Sequence, residues 1–218
     1  DLYFLNLGNS AAPRELRLED LRSVAFSQPA SNRLSATFST FGANLNFSID
    51  SVLLGGTPNS YRAARQETIT LTNTGTDWLD VSLFKYIDYD LQFDGLLDND
   101  TALFSNNTYT QADSSGARAT LSVDQAPTAV QISPYGQLLA QLYNSPATGL
   151  EPNPGPFVDG DATVAFQFDR GLAPGESVVF NFVMQVQRQA TSKAVPEPGT
   201  AFALGFVAAG LALLRRRI

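Results

Sequence analysis

Hydrophobic and polar residues alternate with a period of two along most of this chain. Leu34, Ala36 and Phe38 stand against Ser35, Thr37 and Ser39. After Phe41-Gly42 the pattern resumes, with Leu45, Phe47 and Ile49 against Asn44, Asn46 and Ser48. Successive side chains of a strand point to opposite faces, so the two runs predict a hairpin with one buried face. Thr68–Thr72 predicts another strand, and Asn73-Thr74-Gly75-Thr76-Asp77 its turn, because Asn and Gly tolerate positive φ. The next strand runs from Trp78 to about Tyr89, with Leu79, Val81, Leu83 and Ile87 sharing a face. Val164, Phe166 and Phe168 lead into Leu172-Ala173-Pro174-Gly175-Glu176, whose Pro and Gly suit a type II turn. The partner strand then alternates Val178, Phe180, Phe182, Met184 and Val186 with polar or smaller residues. Further strands are expected at Leu2–Leu7, Ala102–Thr110, Ala117–Val123, Ala129–Ile132 and Leu138–Tyr143, and a helical turn within Pro13–Leu21.

Many short strands separated by turn residues predict an all-β body over residues 1–187, an antiparallel β-sandwich of immunoglobulin-like or jelly-roll-like form. No repeat of fixed period is present, which argues against a solenoid. Pro146 to Pro156 is rich in Pro and Gly and reads as a long loop inside that body. The segments Thr68–Leu83 and Phe166–Val186 resemble those of immunoglobulin-like sandwiches in bacterial surface proteins.

The alternation stops after Gln187. Residues 188–195 form a polar stalk. Val195-Pro196-Glu197-Pro198-Gly199-Thr200 follows, then an uncharged apolar run at 201–214, then Arg215-Arg216-Arg217. The two prolines hold the backbone extended and stiff, and Thr200 can cap a helix. At 1.5 Å per residue the run reaches about 21 Å, near the lower limit for a membrane span once flanking residues and snorkelling arginines are counted. It is apolar all round, whereas a helix closing the domain would show a polar face. The arginines are expected to stay cytoplasmic, which puts the body outside. The order of stiff Pro196-Glu197-Pro198, transmembrane helix and terminal arginines in residues 196–218 resembles the PEP-CTERM sorting signal of bacterial exported proteins. That resemblance implies an exosortase as partner, recognition of Pro196, Glu197 and Pro198, and cleavage near them. It also implies a membrane-anchored precursor that ends at the cell surface or outside the cell.

Composition narrows the chemistry. The chain has no Cys and no His, which removes disulfides, the Ser-His-Asp triad and the commonest zinc ligand. Without Arg215, Arg216, Arg217 and Glu197 it keeps 11 basic and 20 acidic residues, a charge of −9, which disfavours nucleic acid. No leader is visible and the sequence starts at Asp1, so a mature or truncated chain is expected. A non-enzymatic role is expected.

One cluster could carry a ligand: Asp88, Asp90, Asp94, Asp98 and Asp100, around Gly95. Asp88 and Asp90 share a strand face about 7 Å apart. Clustered carboxylates repel unless a proton or cation compensates, and Ca²⁺ takes six to eight such oxygens. The spacing is not that of an EF-hand. A solvated acidic loop, a Ca²⁺ site and a catalytic carboxylate pair remain open. Trp78 is expected in the core, while Tyr86, on the Asp88 side of its strand, could belong to a sugar-stacking platform. Two functions fit. One is a structural or interaction protein of the cell envelope or extracellular matrix, in contact with extracellular polysaccharide. The other is a secreted carbohydrate- or ligand-binding module using the acidic cluster and Ca²⁺. A polar pocket joining Asp88, Asp90 and an exposed aromatic would favour the second.

Overall fold

The computed structural model describes residues 1–8, 15–40, 44–57, 60–91, 96, 99–144 and 149–188. The strands are β1 (Leu2–Leu7), β2 (Leu16–Arg17), β3 (Arg22–Ala30), β4 (Arg33–Ser39), β5 (Leu45–Gly55), β6 (Arg62–Asn73) and β7 (Leu79–Asp88). They continue as β8 (Asp100–Ser105), β9 (Thr108–Ala112), β10 (Arg118–Val123), β11 (Ala129–Pro134), β12 (Phe157–Gly160), β13 (Ala162–Leu172) and β14 (Ser177–Gln187). A 3-10 turn covers Leu18–Asp20, and one helix, α1, covers Gln137–Tyr143.

Two antiparallel sheets make a sandwich. The smaller has the order β11-β13-β7-β1-β2. The larger has the order β12-β8-β9-β10-β14-β6-β5-β4-β3. Strands β5, β6, β10 and β14 follow the period of two in their burial. Phe180, Phe182 and Met184 of β14, and Phe166 and Phe168 of β13, face inward into one shared core. There Phe168 meets Phe180 and Phe182 with ring centroids 4.8 and 5.8 Å apart. The all-β antiparallel sandwich expected from the alternation is therefore the fold. It has more strands than the seven to nine of an immunoglobulin domain.

The 172–176 turn forms as its residues dictate: Gly175 takes φ 78° and the Glu176 amide donates to Ala173 O at 2.9 Å. Beside it, buried Asn73 ties two loops together. Its amide nitrogen donates to Asp77 O (2.8 Å) and Leu172 O (2.9 Å), and its Oδ1 accepts from the Gly75 amide at 2.9 Å.

Several expectations need correction. Leu138–Tyr143 is helix α1, not a strand. Leu138 and Leu142, four residues apart, share a face in either conformation, so their spacing does not discriminate between them. Both are buried on the outer face of the smaller sheet, against Phe4, Phe84, Tyr86 and Ala165. Ala102–Thr110 is two strands, because Asn106 and Asn107 adopt φ 50° and 57° and turn the chain. The helical turn expected within Pro13–Leu21 is present, as the 3-10 turn Leu18–Asp20 preceded by short β2. Strands β3 and β12 follow no alternating pattern. Both are sheet edges, and most of their side chains are exposed. β3 carries Pro29 and shifts register twice against β4. No helix of the described residues is long and apolar enough to cross a membrane, and the predicted span 201–214 lies outside those residues.

The fourteen strands of the described residues end by Gln187. A chain terminated near Ala190 is expected to stay soluble and monomeric, to give a β spectrum by circular dichroism, and to unfold cooperatively. Precipitation, or loss of the transition, would place the tail in the core.

Candidate functional site

Strand β7 carries chemistry at both ends and in its middle. At its C-terminal end, carboxylate oxygens of Asp88, Asp90 and Asp161 lie within 4.8 Å of one another. Asp161 comes from the corner where the chain leaves β12 in the larger sheet and enters β13 in the smaller one. Its closeness follows from pairing, since Thr163 stands opposite Asp88. The fourth acid, Asp100 of β8, pairs with Gly160 just before that corner and is 1 % exposed. Gln111 holds it from Nε2 at 2.5 Å, and Gln111 is itself fixed by Tyr109 (2.8 Å) and the Tyr89 carbonyl (2.8 Å). Asp88 Oδ1 and Asp100 Oδ1 are buried without a hydrogen-bond partner. Burial, then the charges of Asp90 and Asp161, push the Asp88 carboxyl up to about 6. Asp100 also rises to about 6, by burial first and then by Asp161 and Asp113, against the Gln111 bond.

Of the five acids expected to share a metal, Asp88 and Asp90 meet, Asp100 lies beside Asp161, and Asp94 and Asp98 lie outside the described residues. Asp161 was not anticipated. It is more than 70 residues away in sequence, and only strand pairing brings it in. The donor set is all oxygen and anionic, which suits Ca²⁺ rather than a softer metal. A cation there would neutralise carboxylates that otherwise repel.

In the middle of β7, Lys85 occupies the inward face together with Leu83 and Ile87 and is 0 % exposed. Its ammonium donates to Glu67 Oε2 of β6 at 2.7 Å and to the Tyr3 hydroxyl, which donates in turn to Glu67. The ammonium also sits 4.3 Å from the Tyr3 ring centroid and 4.9 Å from that of Phe182. Burial, partly offset by Glu67, brings Lys85 down to about 8. Burial pushes Glu67 upward, but the charges of Lys85 and Arg65 and two hydrogen bonds outweigh it and hold the carboxyl below its usual range. Sealed between the sheets, this lysine has no access to a solvent-borne substrate. The signal was in the alternation: Leu79, Val81, Leu83 and Ile87 leave position 85 on the same face.

The platform alternative for Tyr86 falls, and the core placement of Trp78 reverses. Tyr86 is 3 % exposed beneath α1 and offers no platform. Trp78, expected in the core, is 63 % exposed at the other end of β7. It precedes the first inward residue of the strand, and its Nε1 donates to Asp80 Oδ1 at 2.9 Å. Trp78 and the acidic corner are separated by the length of β7, roughly 30 Å at 3.3 Å per residue, so no single pocket joins them.

Neither a protein-family model nor a curated protein sequence matches this chain. Its fold is found in solved structures. One is a protein assigned as a kojibiose phosphorylase, from the human microbiome (TM-score 0.50, 10 % identity), where the match covers 95 % of this chain and 24 % of the other. Another is a polysaccharide lyase (TM-score 0.50, 15 % identity), with 87 % and 25 % covered. A GH36 α-galactosidase from Geobacillus stearothermophilus overlaps less well (TM-score 0.45, 10 % identity; 86 % and 30 %). This chain thus spans about a quarter of the first two structures. At these identities the likeness is one of fold.

Two measurements follow. Excess CaCl₂ is expected to raise the melting temperature over EDTA, while MgCl₂ at equal ionic strength does not. Extracellular sites bind Ca²⁺ with Kd of about 10⁻⁴ to 10⁻³ M. At 100 times Kd, binding adds about 2.7 kcal/mol, or roughly 5 to 10 °C for a domain of this size. In EDTA the raised Asp88 and Asp100 make the native state hold more protons than the unfolded chain between about pH 4 and pH 6. Their contribution to stability therefore falls as pH rises through that window. Asp88→Asn should flatten that slope and abolish the Ca²⁺ shift, and a shift that survives it would reduce the corner to solvated acids. Separately, Glu67→Gln should destabilise the fold by about 3 to 5 kcal/mol, because it removes the carboxylate 2.7 Å from buried Lys85 and leaves only Asp1 at 3.8 Å, whereas Lys85→Met with Glu67→Leu should recover most of the loss. Chemical denaturation reads both, and a harmless Glu67→Gln would remove the ion pair from any structural role.

Proposed function

We propose that this chain is an exported β-sandwich protein of the cell envelope or extracellular matrix, delivered by an exosortase and working by contact with extracellular polysaccharide rather than by catalysis. One observation carries the reading: the described strands of the sandwich occupy residues 2–187, and the Pro-Glu-Pro, apolar and arginine segments follow that body in the sequence. A segment so uniformly apolar, placed after the last strand and ending in three arginines, serves delivery and anchoring. The immunoglobulin-like or jelly-roll-like character expected from the sequence suits such a body, because sandwiches present broad, stiff surfaces.

The chemistry inside the body supports a binding role. Lys85 is buried, paired and sealed, and the clustered carboxylates suit a cation. The solved structures that share its fold at a TM-score of 0.50 include a polysaccharide lyase and a kojibiose phosphorylase, which supports polysaccharide as the class of partner. Ca²⁺ at the β7 corner would stiffen the body for use outside the cell.

The test of delivery is processing. In the native host, Glu197→Ala is expected to leave an uncleaved, membrane-retained form, whereas the parent chain is released or surface-bound. Replacing Arg215, Arg216 and Arg217 with Ser should disturb topology instead. Identical processing of the Glu197→Ala chain and its parent would overturn the sorting role of the tripeptide.

A further inference from the structure

The outer face of the smaller sheet is divided in two. Helix α1 covers the half containing Phe4, Phe84, Tyr86 and Ala165. Strand pairing sets Asn6, Ser82 and Asp169 in one row beyond it, and Asp80 opposite Gly171 in the next. Together with Gly8, Val81 and Arg170 these residues line an open cleft of about 420 Å³, within the range of small-ligand sites.

Trp78 stands at the edge of that cleft, and three contacts fix it. Its indole nitrogen donates to Asp80 at 2.9 Å. Its ring lies against Gly171, where an added Cβ would come within 2.3 Å of Cζ2, a proximity that only glycine permits. The Asn73 tether between the Asp77 and Leu172 carbonyls holds the two chain segments that carry Trp78 and Gly171. A large aromatic ring 63 % exposed leaves apolar surface in water. Here the ring is anchored in that position rather than collapsed onto the core.

We propose that this cleft, with Trp78 as platform, binds a neutral pyranose segment of an extracellular polysaccharide; the proposal rests on the polysaccharide reading above and adds its location. A pyranose has an apolar C–H face that suits an indole and a rim of hydroxyls that donate hydrogen bonds. The cleft offers acceptors for them. Among the described residues, Asn6 Oδ1 is buried without a partner, Asp80 uses one oxygen on the indole, and Asp169 accepts from its neighbour Gln167 (2.9 and 3.1 Å). A neutral sugar is favoured over a uronate or sulfated one because Asp80 and Asp169 repel anions. The cation nearby is committed elsewhere: Arg170 donates to Gln125 at 2.9 Å and lies 5.3 Å from the Phe180 ring centroid. A protein partner is disfavoured because the row offers one apolar platform and no cluster of apolar anchors.

The experiment uses the full chain in a detergent without a sugar headgroup and titrates cellohexaose, laminarihexaose, chitohexaose and an oligoguluronate by calorimetry. Trp78 is the only tryptophan, so its fluorescence reports the cleft directly. At least one neutral oligosaccharide should bind and shift the emission, and the oligoguluronate should not. Trp78→Ala and Gly171→Ala, the second keeping the indole but displacing it, should each weaken binding about tenfold or more with the melting temperature unchanged. Asn6→Ala should weaken binding as well. Binding that is equal in all variants and leaves the emission unmoved would overturn the cleft and leave the polysaccharide reading standing. Absence of binding to every oligosaccharide would overturn that reading and the cleft with it. Preference for the oligoguluronate would overturn the neutral-ligand assignment.

Discussion

The two sheets meet around a charge pair. Lys85 belongs to β7 in the smaller sheet and Glu67 to β6 in the larger, and Tyr3 of β1 closes the triangle. Apolar side chains would drive the same layers together, but they would accept several neighbouring registers. A buried ammonium accepts only the register that supplies its acceptors, because an unpaired charge there costs several kcal/mol. Sliding β7 by one residue would send Lys85 outward and strand Glu67 inside. The rest of β7 inherits that choice. Its inward row builds the core, its outward row is shared between helix and cleft, and its last residue reaches the acidic corner.

From this follows a division of labour along one strand. The middle is structural and dry. The C-terminal end gathers carboxylates from β7, the β12–β13 corner and β8, so a cation there would join both sheets at the point where the chain crosses between them. The N-terminal end presents an aromatic ring beside polar side chains in a region α1 does not cover. α1 spans seven residues and masks only the apolar part of that face. The likeness to parts of two larger solved structures is one of fold.

Legibility in the sequence tracked burial. Strands with one dry face were readable, because alternation is the trace burial leaves: β4 to β7, β13 and β14 all show it. The 172–176 turn was readable from Pro174 and Gly175. The edge strands β3 and β12 were not: β3 is exposed at each described residue, and β12, with Phe157 against the core, is too short at four residues to show a period. α1 was mistaken for a strand because spacing by four satisfies both periods. At the acidic corner, Asp88 and Asp90 were evident from local spacing, but Asp161 depended on a pairing more than 70 residues long in sequence. Trp78 was misplaced for a different reason: aromatic size is a prior for the interior, and only the tertiary contacts with Gly171 and Asp80 hold it out. Lys85 was visible in the pattern and was passed over because lysine is assumed to be wet.

The larger sheet is four strands wider than the smaller, and its edge strands β3 and β12 both carry exposed side chains. Such edges normally recruit a neighbour's backbone. Here one edge, β3, lacks an amide donor at Pro29 and is kinked by two register shifts. The other, β12, is four residues long, with a shift between Val158 and Gly160. Neither provides a straight run of donors and acceptors. Two molecules brought edge to edge would therefore touch without annealing into one continuous sheet, and would stay separate bodies rather than seed a fibre.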